Sequence, residues 1–322
     1  MAEQVKLYAI IPKLELGKRL DQALTKLFPQ YSRSCFQRWI EKRCITVNGV
    51  IIDKAKYKVF SGAIININTT IEEKKCLEAS DIPLNIIYED EHLLLINKPS
   101  RLVVHPGAGH INDTMLNALL YYLPTLILVP RAGIVHRLDK DTTGLMVIAK
   151  TVSSYNYLVA ALKSRMITRE YEAIVVGCMT SGGKVNAPIG RHATQRTKMT
   201  VHPMGKPAIT HYRIIQRFRG HTWLRLQLET GRTHQIRVHM SHISHPVVGD
   251  SLYAGRLRLP KGMPEYVIAV LRTFNRQALH ATMLRLRHPI SGMIMEWRSC
   301  LPGDILELIN AIQSDTDHTA VK

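Results

Sequence analysis

Acidic residues are sparse in this sequence relative to basic ones. Its 322 residues include 25 Asp and Glu against 43 Lys and Arg, a formal net charge of +18. Such a field attracts polyanions, so nucleic acid or an anionic membrane surface is the first partner class to consider, beside a merely basic, solvated surface. Cysteine is sparse too. Cys35, Cys44, Cys76, Cys178 and Cys300 are scattered, odd in number and without a C-x-x-C pair. That argues against a disulfide framework and a thiolate zinc site, and suits a reducing compartment. No hydrophobic run is long enough to span a bilayer: the most apolar stretch, Met115 to Val129, is interrupted by Asn117 and Pro124. Met1-Ala2-Glu3-Gln4 lacks the basic start and apolar core of a signal peptide. There is no internal repeat. The expectation is a soluble, cytoplasmic protein of ordinary apolar content, 46%, long enough for two domains.

Residues 1–75 hold fourteen basic and seven acidic residues. Leu16, Leu20, Leu24 and Leu27 recur at helical spacing, with Lys18, Arg19 and Lys26 off the stripe. Ser32 or Ser34 can cap a second helix holding Phe36, Trp39 and Ile40, with Arg33, Arg38, Lys42 and Arg43 around it. Ile45 to Ile52 is a pair of β-branched runs about Asn48-Gly49, a hairpin signal, and a last strand runs from Ile64 to Ile67. Two helices, a hairpin and surplus cations resemble the S4 RNA-binding domain. Its landmarks match Gly17-Lys18-Arg19-Leu20-Asp21, Ser32-Arg33-Ser34 and Val47-Asn48-Gly49. The resemblance makes Lys18, Arg19, Arg33 and Arg38 candidate RNA contacts; without it, the residues describe a small basic helix–hairpin domain.

Thr69 to Asp81 is polar and aperiodic and reads as a linker, dividing a domain at 1–75 from one at 76–322. Beyond it, strands are expected at Leu93–Ile96, Ile134–Val135, Leu145–Ala149, Tyr171–Val176, Thr210–Phe218, Thr222–Leu228 and Ala278–Leu286. Helices are expected at Thr114–Tyr122, Val152–Ser164 and Asp304–Ile312. Strands outnumber helices and often follow one another directly. The fold class expected is therefore α+β, with a mixed, largely antiparallel sheet in the larger domain and a small α/β domain before it.

The most informative segment is residues 133–150, where His136-Arg137-Leu138-Asp139-Lys140-Asp141 forms a charged turn between apolar runs taken as strands. Any isolated H-R-x-D reads first as a salt-bridged hairpin. A kinase loop is excluded: Asp does not follow Arg directly, and no Gly-rich phosphate loop lies upstream. The whole string, however, resembles the signature of the RluA-type pseudouridine synthases. Further blocks follow in order: Asn97-Lys98-Pro99 with Leu102 to Pro106, Arg169-Glu170-Tyr171-Glu172-Ala173, Glu229 to His239, and His245-Pro246-Val247-Val248-Gly249-Asp250. The likeness runs from about Gly17 to Pro302. It departs from the family pattern at Ser100-Arg101 and at Ala254, neither within the catalytic blocks.

The resemblance implies isomerisation of uridine to pseudouridine, a reaction without redox change that calls for no cofactor. Asp139 would be the carboxylate acting at the ribose, Arg237 the arginine paired with it, and Tyr171 the aromatic ring against the uracil. By itself Tyr171 reads as a packed strand residue. Arg137 would fill the gap left by a flipped base. His136, Arg232 and the loop cations Arg191, Arg196 and Lys198 are further candidate RNA contacts, the last three also readable as a solvated basic loop. The likeness to S4-bearing members implies large-subunit ribosomal RNA as substrate, with other ribosomal or transfer RNA uridines as the alternative. A rival class, metal-dependent RNA hydrolysis, rests on His234, His239, His242 and His245. There is no H-E-x-x-H, and Pro246 breaks any helix before Asp250. No metal is expected.

Overall fold

The structure, a computed structural model, describes residues 3–29, 31, 33–71, 78–107, 109–257 and 259–320. Ser32, Cys76 and the Glu72-Glu73-Lys74-Lys75 run lie outside these. The chain divides into two compact units, Met1–Leu77 and Glu78–Lys322.

In the first unit, β1 (Glu3–Ile10) is followed by α1 (Leu20–Leu27), α2 (Arg33–Glu41), β2 (Ile45–Val47), β3 (Val50–Ile51) and β4 (Ile64–Ile71). The four strands pair antiparallel in the order β1-β4-β2-β3. Asn48 and Gly49 both sit at positive φ, 50° and 82°, the conformation a tight β2–β3 turn demands. Leu20, Leu24, Phe36, Trp39 and Ile40 close the core against Ile45, Ile65 and Ile67. Three expectations change. Leu16 precedes α1 and is exposed, Ser34 lies inside α2 rather than capping it, and β4 runs on through Ile71 into the segment read as linker.

The second unit contains β5 (Ile86–Glu89), β6 (Leu93–Lys98), α3 (Met115–Tyr122), β7 (Thr143–Ala149), α4 (Val152–Lys163), β8 (Thr168–Val176), β9 (Gly183–Asn186), β10 (Ile189–Arg191) and β11 (Met199–Val201). β12 (Ile209–Arg217), β13 (His221–Leu228), α5 (Gln235–His242), α6 (Glu265–Thr273), β14 (Leu279–Arg287), β15 (Ile294–Arg298) and α7 (Gly303–Ala320) complete it. A nine-stranded sheet has the order β5-β6-β7-β14-β8-β13-β12-β9, with β15 on β14. Only β7–β14 is parallel, so the sheet is mixed and largely antiparallel.

Alternation along β6 and β7 divides the core. Leu94, Ile96, Met146 and Ile148 join the larger cluster with α3 and α7, while Leu93, Leu95, Leu145 and Val147 pack under Leu158 and Ala161 of α4. Both faces being covered, these strands read as continuous apolar runs.

Ile134–Val135 is not a strand. The chain arrives there through a 3-10 turn at Pro130–Gly133, and Ile134 makes a single bridge to Ile148. Gly133 makes that approach possible: at φ 78°, a Cβ there would lie 2.0 Å from the Ala149 carbonyl oxygen. β1, β5, β9, β10, β11, β15, α5 and α6 are additions to the elements read from sequence, so the loop read around Arg191 to Lys198 is the β10–β11 hairpin. Among the described residues no helix is long and apolar enough to cross a membrane.

Candidate active site

A cleft of about 830 Å³ lies beside β8, lined by the 134–139 segment, by Arg165, Arg169 and Tyr171, and by residues 228–237. Its floor is built from three elements. Asp139 stands on the loop before β7, Tyr171 on β8, and Arg237 in the first turn of α5. The Asp139 carboxylate is 15% exposed, and its Oδ2 accepts from Arg237 Nη1 at 3.0 Å. The same guanidinium is shared. Its Nε and Nη2 donate to the two oxygens of Asp250 at 2.6 and 2.8 Å, and Asp250 also accepts from the backbone N–H groups of Leu252 and Tyr253. Arg237 further lies 5.0 Å from the Tyr253 ring centroid. Burial opposes charge on Arg237, but Asp250 first and Asp139 second more than offset it, and the group is pushed up.

The loop bearing Asp139 is pinned along its length. Lys98 is fully buried at the end of β6 and donates to the carbonyls of Pro99, Leu102 and Lys140 at 2.7, 2.9 and 2.8 Å. Burial pushes Lys98 down to about 7, while three acceptors call for the three N–H groups of the ammonium form. Arg276 donates to the Asp141 carbonyl at 3.2 Å and is itself held by both oxygens of Asp304 at the start of α7. Gln277 donates to Thr142 Oγ1 at 3.0 Å. The Asp139 carboxylate therefore sits on a clamped turn that fixes its position in the cleft.

Tyr171 is buried with 5% exposure, and burial raises its phenol. His234 sits at positive φ, 56°, ahead of α5, with Nε2 3.9 Å from Asp139 and Nδ1 2.8 Å from the Tyr253 hydroxyl. Arg131, Ala132 and Arg165 also hold positive φ at or beside the cleft, so backbone strain gathers here.

Arg137 is exposed on the cleft wall, and Arg232 lines it while donating to the Pro207 carbonyl at 3.1 Å. His136, a candidate RNA contact, lines the cleft as a half-buried ring. Its Nε2 accepts from the Val147 N–H at 3.1 Å, its Nδ1 is buried, and burial pushes it to about 3, so it is neutral. Arg191, Arg196 and Lys198 lie on the β10–β11 hairpin, outside the cleft lining.

In the first unit, Arg19 and Arg33 pair with the buried Asp21, which also accepts from Gln37, and Lys18 pairs with the buried Glu15. These cations are held in a fixed array, whereas Arg38 is exposed. Of the histidines, His239 bonds Thr210 Oγ1 and the Ala187 carbonyl, His245 bonds the Val176 carbonyl, and His234 faces Asp139. They do not converge, and among the described residues no group of three or more His, Cys, Asp or Glu could hold a metal ion. Sequence reasoning passed over Asp250, Lys98 and Arg169 as site residues, although all three stand inside the family-like blocks.

A pinned carboxylate at the floor of a basic cleft, on a largely antiparallel sheet preceded by a small α/β unit, is the layout of an enzyme rather than of a binding module alone. Residues 92–242 match the RNA pseudouridylate synthase family, and residues 18–65 match the S4 domain. The chain is 62% identical over 317 residues to the ribosomal large subunit pseudouridine synthase D of Yersinia pestis, covering 98% of each chain. It is 60% identical over 315 residues to the protein of that name from Escherichia coli (strain K12), covering 98% of this chain and 97% of the relative. A solved structure, human RNA pseudouridylate synthase domain containing 4, superposes with a TM-score of 0.55 at 26% identity, covering 71% of this chain and 92% of that one. The chain belongs to the RNA pseudouridylate synthase family: it is a pseudouridine synthase, an isomerase, with an S4 domain at its N-terminal end.

Proposed function

We propose that this enzyme converts uridines of large-subunit ribosomal RNA to pseudouridine, acting on a nucleotide turned out of its stack into the cleft, with Asp139 as the group that acts at the ribose. The N1–C1′ bond breaks, the uracil turns while held, and C5 bonds to C1′; the proton lost from C5 is balanced by one gained at N1. The carboxylate either adds to C1′ or takes the C2′ proton, and both routes need it ionised. The observation that carries the reading is the Asp139–Arg237–Asp250 chain, which sets a carboxylate against a guanidinium, oriented and still 15% open to the cleft. Tyr171 lines the same cleft, where it can bear on the uracil, and Arg137 on the wall can fill the vacated stack. The cleft volume, about 830 Å³, lies in the range that small-molecule sites use. The names of the relatives supply the substrate class, and the net charge of +18 suits a polyanion.

The test is pseudouridine mapping of ribosomal RNA from cells with and without the gene, complemented by wild type or by Asp139→Asn. The expected result is a set of large-subunit sites lost on deletion, restored by wild type and not by the near-isosteric variant. Sites that persist without the gene would remove the substrate, and restoration by Asp139→Asn would remove the carboxylate.

A further inference from the structure

Two cations of the cleft are buried, and the protein treats them oppositely. Arg237 is wrapped by two carboxylates. Arg169, only 8% exposed, has no carboxylate, carbonyl or hydroxyl accepting from it among the described residues, and its Nε is wholly buried without a partner. It stands two residues before Tyr171 on β8, on the same face of the strand, and lines the same cleft. Beside it is a second unmatched donor. His136 uses Nε2 to accept from Val147, so its proton is on Nδ1, which is buried and unpartnered.

This arrangement is costly for the free protein. An arginine withdrawn from water without an acceptor forfeits several kcal/mol, and β8 could bury an apolar residue at this position instead. The surroundings make room for it. A Cβ on Gly231 would lie 2.9 Å from Arg169 Nη1, so the Glu229-Thr230-Gly231-Arg232 turn leaves a slot that the guanidinium fills. The cleft wall nearby carries Lys163 and Arg165, both exposed, and the half-buried Arg232; Arg165 is paired with Glu229. A base carbonyl would satisfy one N–H and leave the charge uncompensated. A phosphate meets both the charge and the planar fork of the guanidinium.

We infer that Arg169 is a phosphate subsite, taking a backbone phosphate of the RNA next to the nucleotide held over Tyr171. The ligand supplies the negative charge and the acceptors that the protein does not offer this guanidinium, so binding and anchoring of the target nucleotide coincide. This rests on the reading of the cleft as the RNA site.

The test uses a synthetic RNA hairpin carrying a uridine that the full-length wild-type protein converts, with each phosphate flanking that uridine replaced singly by methylphosphonate. Wild type is expected to lose about tenfold in affinity at one position, equivalent to about 1.4 kcal/mol. Arg169→Met should bind the unmodified hairpin about tenfold more weakly and lose nothing further at that position, a non-additive cycle. Arg169→Lys, which keeps charge without the fork, should fall between. Losses that add at every position overturn the subsite. So does coupling of Arg169→Met to a 4-thiouridine target instead of to a phosphate. Should Arg169→Met not fold, by its melting curve, the Lys variant carries the test through its reduced sensitivity at that one phosphate; undiminished sensitivity there overturns the inference. Failure of wild type to convert any such hairpin defeats the functional reading, whereas conversion without an Arg169-coupled phosphate defeats only the subsite.

Discussion

Arg237→Met removes a cation and keeps much of the side-chain volume. Three hydrogen bonds to carboxylates go with it, at 2.6, 2.8 and 3.0 Å, and Asp250 is left fully buried with only backbone N–H partners. Removing one member of a buried ion pair costs about 3–5 kcal/mol, a large share of the roughly 5–15 kcal/mol that holds a folded protein together. At roughly 2–4 °C per kcal/mol for a unit of this size, the second unit should melt about 6–20 °C lower at pH 7. Single-turnover conversion should fall with the variant still folded, because Asp139 loses its fixed orientation as well as its neighbouring charge; single turnover keeps slow product release from masking the effect. A variant melting within about 3 °C of wild type at pH 7 and converting RNA at the wild-type rate would refute the shared-arginine account.

Burial pushes His221 and His280 to about 4 and His136 to about 3, so all three fold neutral while the unfolded chain protonates them below about 6.5. Wild-type stability should be intact above that value and fall as pH drops, by up to about 1.4 kcal/mol per unit for each histidine; denaturant midpoints at pH 7 and 5 measure it, and His280→Gln should lessen the fall. Equal midpoints at the two pH values would contradict the burial of these rings. Removing residues 1–77 should leave a catalytic unit whose affinity for RNA depends less on salt, the log–log slope dropping by roughly 0.7–0.9 for each phosphate no longer neutralised, while an unchanged slope would mean that Lys18, Arg19, Arg33 and Arg38 do not touch the backbone.

Much of this was legible in the linear sequence, and the rest had physical reasons to be hidden. Asp139, Tyr171 and Arg237 stand in dense strings of charged and small residues that few structural roles require. Asp250 escaped, because its partner lies thirteen residues back across a proline turn and a lone buried acid carries no pattern. α5 went unread since its buried positions include Gln235, Arg237 and His239, so the helix shows no apolar stripe. β1 and β15 lie at or near sheet edges, with exposed Tyr8, Ile10 and Ile294 blurring the alternation. Ile134–Val135 misled in the opposite sense: its apolar character reflects packing against β7 rather than membership of the sheet.

The order of strands bears on when the enzyme comes into being. β14 lies between β7 and β8, yet more than a hundred residues separate it from either along the chain. A polypeptide leaving the ribosome N-terminus first has made Asp139 and Tyr171 long before the strand that joins β7 to β8, and before the Asp304–Arg276 pair that clasps the Asp141 carbonyl. Until then the middle of the sheet is a gap with two open edges, which favours slow closure and exposes apolar strand surface. An incomplete chain would carry Asp139 on a loop that Lys98 can reach but that Arg276 and Gln277 do not yet hold, so the complete clamp arrives only after β14 and the start of α7 are made.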